Sequence, residues 1–324
     1  MNIFYSWGDF SACLFFISNI LSSIMPLLKI IILFSHREDF FRLILYMKRN
    51  FLELQNYDDY ERKIVISCKR KCTFFICFFT FLTMATVASY IFSPIIENIG
   101  KNESDRMLPF NMWVNLPLNI TPYFEITYAL QALSLYHIGV SYFCFDNFLC
   151  IMNLHVAGQF QVLQHRISNI IDSIDNEKEE KREKLIVDSS YFAKQVLMFS
   201  LLICLDGYQI LMADGDIKTR LIFSFHILGS LCQLLMFSYS CDCIIRKSVN
   251  IATAAYGGPW PLLSMTTSGR MIRKDLILVI MRSSIPCCLT GKGFFIVSLE
   301  TYTSVLSTAA SYFTLLKQRT EVTS

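Results

Sequence analysis

The sequence is poor in charge for its length. Asp, Glu, Lys and Arg together make up only 17% of its 324 residues, whereas about 25% is usual in a soluble domain. Hydrophobic residues make up 53%, and the mean hydropathy is +0.43. This composition excludes a single soluble core. The apolar stretches are continuous and do not alternate with polar residues, so we predict an all-α polytopic membrane protein.

The sequence also lacks the motifs of enzymes, metal sites and nucleotide-binding proteins. It contains no HExxH, GxSxG, P-loop or GxGxxG pattern. None of its 12 Cys lies in a segment that we predict to be external, so no disulfide framework is indicated. Cys241 and Cys243 have no second ligand pair at a zinc spacing. We therefore predict no catalytic residue, no cofactor, no metal and no nucleic-acid partner.

Six apolar runs are long enough to cross a bilayer with about 30 Å of hydrocarbon. They cover residues 10–34, 73–97, 123–152, 192–213, 221–245 and 293–318. The segments 35–72, 153–191 and 246–292 carry nine, five and seven Lys and Arg, whereas every other segment between or outside the runs carries two or fewer. By the positive-inside rule, we predict that these three basic segments are cytoplasmic and that both termini, including the C-terminus, are extracellular.

Two sequons agree with this orientation. Asn102-Glu-Ser104 and Asn119-Ile-Thr121 both lie between the second and third apolar runs, in a segment predicted to be external. N-glycosylation occurs only on the lumenal side of the membrane, so we predict Asn102 and Asn119 as glycosylation sites.

The basic segments contain apolar residues at helical spacing. In 35–72 and 153–191 these residues are Phe40, Phe41, Leu43, Ile44, Met47, Phe51, Leu54, Phe160, Leu163, Ile167, Ile170, Ile171 and Ile174. We interpret the segments as helices that continue into the cytoplasm and pack together; interfacial amphipathic helices are the alternative.

The ionisable residues within the apolar runs include two acids and, far from the run end predicted to be external, a lysine. Asp146 and Asp206 suggest functional sites because acids are rare at membrane depth. Asp146 has no carboxylate partner at helical spacing, and Asp206 precedes Gly207, where the helix is expected to break. We favour hydrogen-bonded structural roles for both acids. Lys29 is near the inner end of its run, where its ammonium group is expected to reach the membrane surface.

Hydroxyl residues follow one face of the last apolar run. Thr301, Ser304, Thr308, Ser311, Leu315 and Gln318 are separated by alternating steps of three and four residues. Such a stripe on a helix either packs closely against another helix or lines a water-filled path. Periodicity by itself leaves these two interpretations about equal.

Residues 199–318 resemble the insect odorant receptor family. The matching stretches are "SLLICLDGYQ", "YSCDCIIRKSVNIATAAYGGPWPLLS" and "GKGFFIVSLETYTSVLSTAASYFTLLKQ". The resemblance implies a subunit that binds a small volatile odorant and gates a cation-conducting pore. It also implies a hetero-oligomer, a tetramer, with a shared co-receptor in the plasma membrane of the olfactory neuron dendrite.

The resemblance implies roles for individual residues. Leu315 would form the hydrophobic gate and Gln318 the adjacent polar ring, while Ser311, Thr308 and Ser304 would face the pore. Tyr256 and Trp260 would belong to an anchor region between subunits. The candidates for odorant contact are aromatic residues on the early spans and on the family's sixth span: Phe15, Phe16, Tyr90, Tyr128 and Phe223.

The sequence departs from the family in its span count. Family members have seven spans, and the match is best if Met1–Asp9 corresponds to the loop after the first of them. A gustatory receptor is an alternative, because Tyr312 and Gln318 have the spacing of its signature, although Arg319 replaces the final Phe. A transporter is a further alternative, but it would show paired halves with broken helices.

Overall fold

The computed structural model describes residues 10–51, 57–102, 106–110, 120–169, 189–212, 217–258, 260–263, 265–291 and 294–323. Within these ranges the chain is almost entirely helical. The helices are α1 (Phe10–Ser35), α2 (Arg37–Phe51), α3 (Asp59–Asn98), α4 (Tyr123–Ser168), α5 (Ser189–Met212), α6 (Ile217–Gly257), α7 (Thr267–Ser283) and α8 (Leu299–Thr323). A 3-10 turn covers Trp260–Leu262, and the short strands β1 and β2 cover Thr290–Gly291 and Phe295–Ile296.

Helices α4 and α6 form the centre of the bundle. Helix α3 packs against both of them, and α5 contacts α6, α1 and α8. The largest apolar cluster joins α3, α4 and α6 through Phe79, Phe143, Leu149, Met236 and Phe237. A second cluster places Ala309 of α8 against Phe199, Ile203 and Leu234. The apolar side of α8 is therefore part of the core of the subunit.

The exterior of the bundle is also apolar. Phe34 on α1 and Phe74 and Phe81 on α3 are exposed large hydrophobic residues. In the part of the chain that the structure describes, Asp59–Asn98, Tyr123–Ser168 and Arg220–Leu262 are long and apolar enough to cross a membrane. Shorter apolar helices cover Ser23–Ser35 and Met198–Tyr208. In lipid, helices satisfy all backbone hydrogen bonds internally, so this is a helical, multi-pass membrane-type fold.

Helices α3 and α4 extend well beyond their apolar runs. Helix α3 begins at Asp59, where the backbone N–H of Asp58 donates to the Glu61 carboxylate at 3.2 Å. The same carboxylate accepts hydrogen bonds from Arg166 of α4 at 2.7 Å and 3.1 Å. A buried acid therefore joins α3 and α4. The apolar residues whose spacing predicted helices lie in α2 up to Phe51 and in α4 up to Ile167. The others, Leu54, Ile170, Ile171 and Ile174, lie outside the described residues. We call this end of the bundle, which contains Asp59–Cys72 and Asn153–Ser168, the basic end.

A third apolar cluster, which lies at the basic end, joins α4, α6 and α7. It contains Ile167, Ile251, Ala255, Leu263 and Leu276. Helix α2 differs, because Phe40 is buried against Phe145 and Phe148 while Phe41 remains exposed. The interpretation as helices that pack together therefore holds for α3, α4, α6 and α7. Helix α2 instead has an outward apolar face, which is typical of an interfacial helix.

The last apolar run does not become helical at its start. A helix was predicted from residue 293, but Gly291 pairs with Phe295 and Thr290 with Ile296 in an antiparallel ribbon. A Cβ atom at Gly291 would lie 2.6 Å from the Phe295 ring, so glycine permits this contact. Helix α8 begins only at Leu299. A short apolar stretch suits a strand and a helix equally, so its hydrophobicity did not reveal the ribbon.

Candidate functional site

Two of the predicted odorant-contact residues lie where α3 meets α4. The Tyr128 hydroxyl donates a hydrogen bond to the backbone oxygen of Ile91. The adjacent residue, Tyr90, stacks on Phe110 with ring centroids 6.2 Å apart. The Tyr90 hydroxyl also lies within electrostatic range of the Asp206 carboxylate on α5. This region therefore combines aromatic surface with a nearby buried acid.

Asp206 connects the same region to α6. Its Oδ2 lies 2.7 Å from Nδ1 of His226, and its side chain is fully buried. Phe223, the predicted odorant contact on α6, is buried one helical turn before His226. Tyr90 on α3 thus lies near Asp206, and Phe223 lies one turn from His226 on α6. Three of the five predicted contacts, including Tyr128, belong to this part of the bundle.

Two features of this region differ from the sequence-based expectation. The predicted helix break at Gly207 is wrong, because α5 runs without interruption over Ser189–Met212. The role of His226 was missed, although both Asp206 and His226 lie in apolar runs near the ends predicted to be external. Their similar distance from the external ends of the two runs was the available signal that they could pair. The side chains of Phe15 and Phe16 lie outside the described part of the chain.

A second polar network joins α1, α4 and α6 in the interior. Lys29 Nζ donates to Asp146 Oδ2 at 2.7 Å and to the backbone oxygen of Tyr142 at 2.8 Å. Nζ also lies 4.5 Å from the centroid of the Tyr142 ring. The Gln233 amide donates to the same Asp146 oxygen. Each charge is therefore neutralised and hydrogen-bonded, as burial of a charge requires.

This network corrects the prediction for Lys29 and agrees with that for Asp146. Lys29 does not extend to the membrane surface, because its side chain is only 1% exposed. A carboxylate at the same depth, itself 2% exposed, provides a nearer partner than the surface does. Asp146 is hydrogen-bonded, as expected of a structural acid. Gln233 was missed because a lone Gln in an apolar run carries no sequence signal.

The hydroxyl face of α8 is exposed from Ser304 to Gln318. Ser304, Thr308, Ser311 and Gln318 are exposed, and Leu315 is 61% exposed. The hydroxyls of Thr308 and Ser311 donate to the backbone oxygens of Ser304 and Ser307, each at 2.9 Å. Helix α8 therefore turns its small polar residues away from the other described helices of the chain. This excludes the interpretation in which the stripe packs against one of those helices.

The predicted anchor residues are exposed at the basic end. Tyr256 is 74% exposed at the end of α6. The indole N–H of Trp260 donates to the backbone oxygen of Tyr256 at 3.0 Å, and Trp260 is 38% exposed. Leu262 and Met265 are exposed beside them. These four residues form an apolar surface patch above the cluster that contains Ala255 and Leu263, and we call it the α6–α7 patch.

Of the two predicted glycosylation sites, only Asn102 lies in the described part of the chain. Its side chain is exposed just after the end of α3. Asn119 lies outside the described residues.

Comparison with protein families identifies the family of the protein that contains these buried pairs and exposed surfaces. Residues 10–188 and 187–310 match the sequence model of the family described as 7tm Odorant receptor. The chain belongs to this family. Family membership confirms the resemblance, which is close over residues 199–318 and weaker over the rest of the chain. Odorant receptors are receptors rather than enzymes, so the prediction of a non-enzymatic membrane receptor of insect olfaction is confirmed as well.

Several insect receptors are similar in sequence over most of the chain. Odorant receptor 10 of Aedes albopictus is 23% identical over 342 residues, which cover 98% of this receptor and 87% of that protein. Odorant receptor 13a of Drosophila melanogaster is 25% identical over 298 residues, covering 79% and 69% of the two chains. The similarity extends across the described helices, including those that carry the buried pairs.

Solved structures share the fold of this receptor. The insect olfactory receptor OR5 from Machilis hrabei superimposes with a TM-score of 0.79 over 97% of this chain and 83% of that chain, at 15% identity. Its complex with eugenol gives the same TM-score over 96% and 82% of the chains, at 17% identity. This likeness confirms the all-helical membrane-type fold.

Proposed function

We propose that this receptor binds a small volatile odorant and thereby opens a cation-conducting pore, in a hetero-oligomer with a shared co-receptor subunit. The single observation that carries the pore is the exposed hydroxyl face of α8, opposite the buried Ala309. A face of Ser and Thr that its own subunit leaves uncovered suits a wall facing water. In a ring of subunits, four such faces would enclose a path, with Leu315 as its apolar constriction and Gln318 beside it.

The odorant site of this proposal lies around the Asp206–His226 pair. Tyr90, Tyr128 and Phe223 would supply apolar contact there, and the buried pair would supply a few polar groups. A mostly apolar site with few polar groups suits a small volatile ligand. The similar receptor from Machilis hrabei has been solved with eugenol bound, which supports a small organic molecule as the ligand class. Phe15 and Phe16 remain proposed contacts on α1.

The proposed topology has six spans, at about 10–34, 73–97, 123–152, 192–213, 221–245 and 293–318. Segments 35–72, 153–191 and 246–292 would be cytoplasmic, and the C-terminus extracellular. The bias in Lys and Arg supports this orientation. Glycosylation would then occur at Asn102 and Asn119. The proposed location is the plasma membrane of the olfactory neuron dendrite.

The proposed contact between subunits is the α6–α7 patch. Tyr256 and Trp260 are 74% and 38% exposed, so both present aromatic surface on the outside of the chain. Aromatic residues are enriched at the centres of protein interfaces. The patch supports an assembly, proposed as a tetramer, in which anchor regions of neighbouring subunits meet at the basic end.

Oocyte recording tests this function directly. Oocytes that express the receptor with the co-receptor should give an inward cation current when a panel of volatiles is applied, and oocytes with either subunit alone should give a smaller current or none. A channel conducts at a rate set by the open pore, whereas a transporter would show saturating, stoichiometric uptake. Saturating uptake of the volatile without such a current would contradict the channel proposal.

The gate is tested by Leu315→Ala in the same complex. A shorter side chain widens and wets an apolar constriction, so the current without odorant should rise several-fold. Leu278→Ala on α7 is the matched control, since Leu278 is 62% exposed and Leu315 61%. If Leu315→Ala left both the resting and the evoked current unchanged, Leu315 would not form the gate.

A further inference from the structure

A cavity of about 340 Å³ opens between α3, α4 and α6 at the basic end. Its lining includes Lys63 and Lys71 from α3 and Lys247 from α6, and no lining residue is Asp or Glu. It is separate from the Asp206–His226 region and from the hydroxyl face of α8. The proposed odorant-gated function therefore leaves this cavity unexplained.

The lysines of the cavity point to an anionic ligand. Lys63, Ser67 and Lys71 follow at intervals of four residues, so they share one face of α3. Lys247 lines the same cavity from α6, so lysine side chains from two helices border one space. Like charges that converge repel each other, and a bound anion would relieve that repulsion.

Two nearby carboxylates are already engaged by arginines. Glu61 on α3 is bonded to Arg166, and Asp242 on α6 is bonded to Arg246 at 2.5 Å. Among the described residues, none of the three lysines forms an ion pair with a carboxylate. Their positive charge therefore remains available at the cavity.

The depth of the cavity identifies its surroundings. Lys71 lies two residues before the apolar run 73–97, Leu154 two residues after 123–152, and Lys247 two residues after 221–245. Three separate apolar runs therefore each have one boundary at this level, which is where the polar headgroups of a bilayer begin. Under the orientation proposed above, this is the cytoplasmic leaflet, where anionic lipids are concentrated.

We propose that this cavity binds a phosphate group, and that the headgroup of an anionic phospholipid of the cytoplasmic leaflet is its source. Lysine ammonium groups donate charge-assisted hydrogen bonds to phosphate oxygens. The hydroxyls of Ser67 and Tyr239, which also line the cavity, add further donors. The volume falls within the range of roughly 300–1,000 Å³ typical of small-molecule sites. A bound headgroup would connect α3 and α6 across the cavity.

Lipid binding to the purified full-length receptor tests the site without any odorant. Phosphatidylinositol 4,5-bisphosphate is titrated into the receptor in detergent micelles and counted by native mass spectrometry, with phosphatidylcholine as the reference lipid. The variant Lys71→Gln/Lys247→Gln should weaken binding about tenfold or more. The control Lys48→Gln/Lys274→Gln removes two exposed charges that do not line the cavity, and its binding should stay close to that of the unmodified receptor.

Soluble inositol 1,4,5-trisphosphate distinguishes the source of the phosphate. The lipid proposal expects it to compete only at much higher concentration, because it lacks acyl chains; equal potency would overturn the lipid as the source. Equal loss of binding in both double variants, or no binding by the unmodified receptor, would overturn the site. Because the assay needs neither odorant nor a defined orientation, its failure would leave the proposed function untouched.

Discussion

At the scale of single residues, two buried polar pairs stand out in an otherwise apolar bundle. Lys29 and Asp146 connect α1 to α4, and Asp206 and His226 connect α5 to α6. A charge at membrane depth is tolerated when it has a partner and its remaining hydrogen bonds are satisfied. The first pair meets this condition through Tyr142 and Gln233, so it fixes the register of α1 on the bundle.

The Lys29–Asp146 pair predicts strong coupling in a double-mutant cycle. Lys29→Met leaves a buried carboxylate without its cation, which is expected to cost about 3–5 kcal/mol of stability. Adding Asp146→Asn removes the charge while keeping an acceptor for Gln233, so the double variant should recover much of that loss. The melting temperature of the purified receptor in micelles measures the effect. Lys274→Met, at an exposed position on α7, is the control and should melt like the unmodified receptor.

If the stability lost in the double variant equalled the sum of the losses in the two single variants, Lys29 and Asp146 would not be coupled. Residues in direct contact show interaction energies of roughly 0.5–3 kcal/mol, whereas independent residues add. Purely additive losses would mean that the pair does not act as a unit in the membrane protein.

At the scale of elements, α8 differs from the other helices in how its two faces are used. One face packs through Ala309, and the other exposes Ser and Thr whose hydroxyls bond back to their own backbone. Back-bonded hydroxyls are satisfied locally, so this face tolerates water without needing a partner helix.

Adjacent cysteine substitutions on α8 predict opposite reactivity. Thr308→Cys should place a thiol on the exposed face, where a charged methanethiosulfonate reagent added during odorant stimulation should block most of the evoked current. Ala309 is buried, so Ala309→Cys should leave the current close to that of the unmodified receptor. The receptor with only its native cysteines provides the baseline. Equal block at both positions would show that the exposed face is not the wall of the pore.

At the scale of the whole molecule, one subunit leaves two conspicuous surfaces uncovered. The hydroxyl face of α8 and the α6–α7 patch are both exposed in the described residues. Exposed apolar patches with an aromatic centre mark interaction sites. Both surfaces are consistent with an assembly in which neighbouring subunits complete the pore and the anchor.

The proposed topology predicts where an epitope tag becomes accessible. A tag after Ser324 should stain on intact cells, because the charge bias places that end outside. A tag inserted after Glu179, in a segment proposed to be cytoplasmic, should stain only after permeabilisation. Immunofluorescence on the same cell line, with and without detergent, compares the two. The opposite pattern for both tags would invert the orientation.

The sequence by itself determined the class of the protein, the positions of its apolar runs and the hydroxyl face of α8. These follow from composition and periodicity, which depend only on residues close together in the chain. The sequence also showed the family resemblance in residues 199–318. Helices in the basic segments followed from the same kind of pattern, and the structure has them over Arg37–Phe51 and, in the second segment, up to Ser168.

Only the tertiary structure decided which distant residues meet. It paired Lys29 with Asp146, 117 positions away, and Asp206 with His226, and it placed three lysines around one cavity. It also replaced the predicted start of α8 with a two-stranded ribbon. The physical reason is that these contacts depend on the relative depth and rotation of separate helices, and on a close approach at Gly291. No local pattern in the sequence records that information.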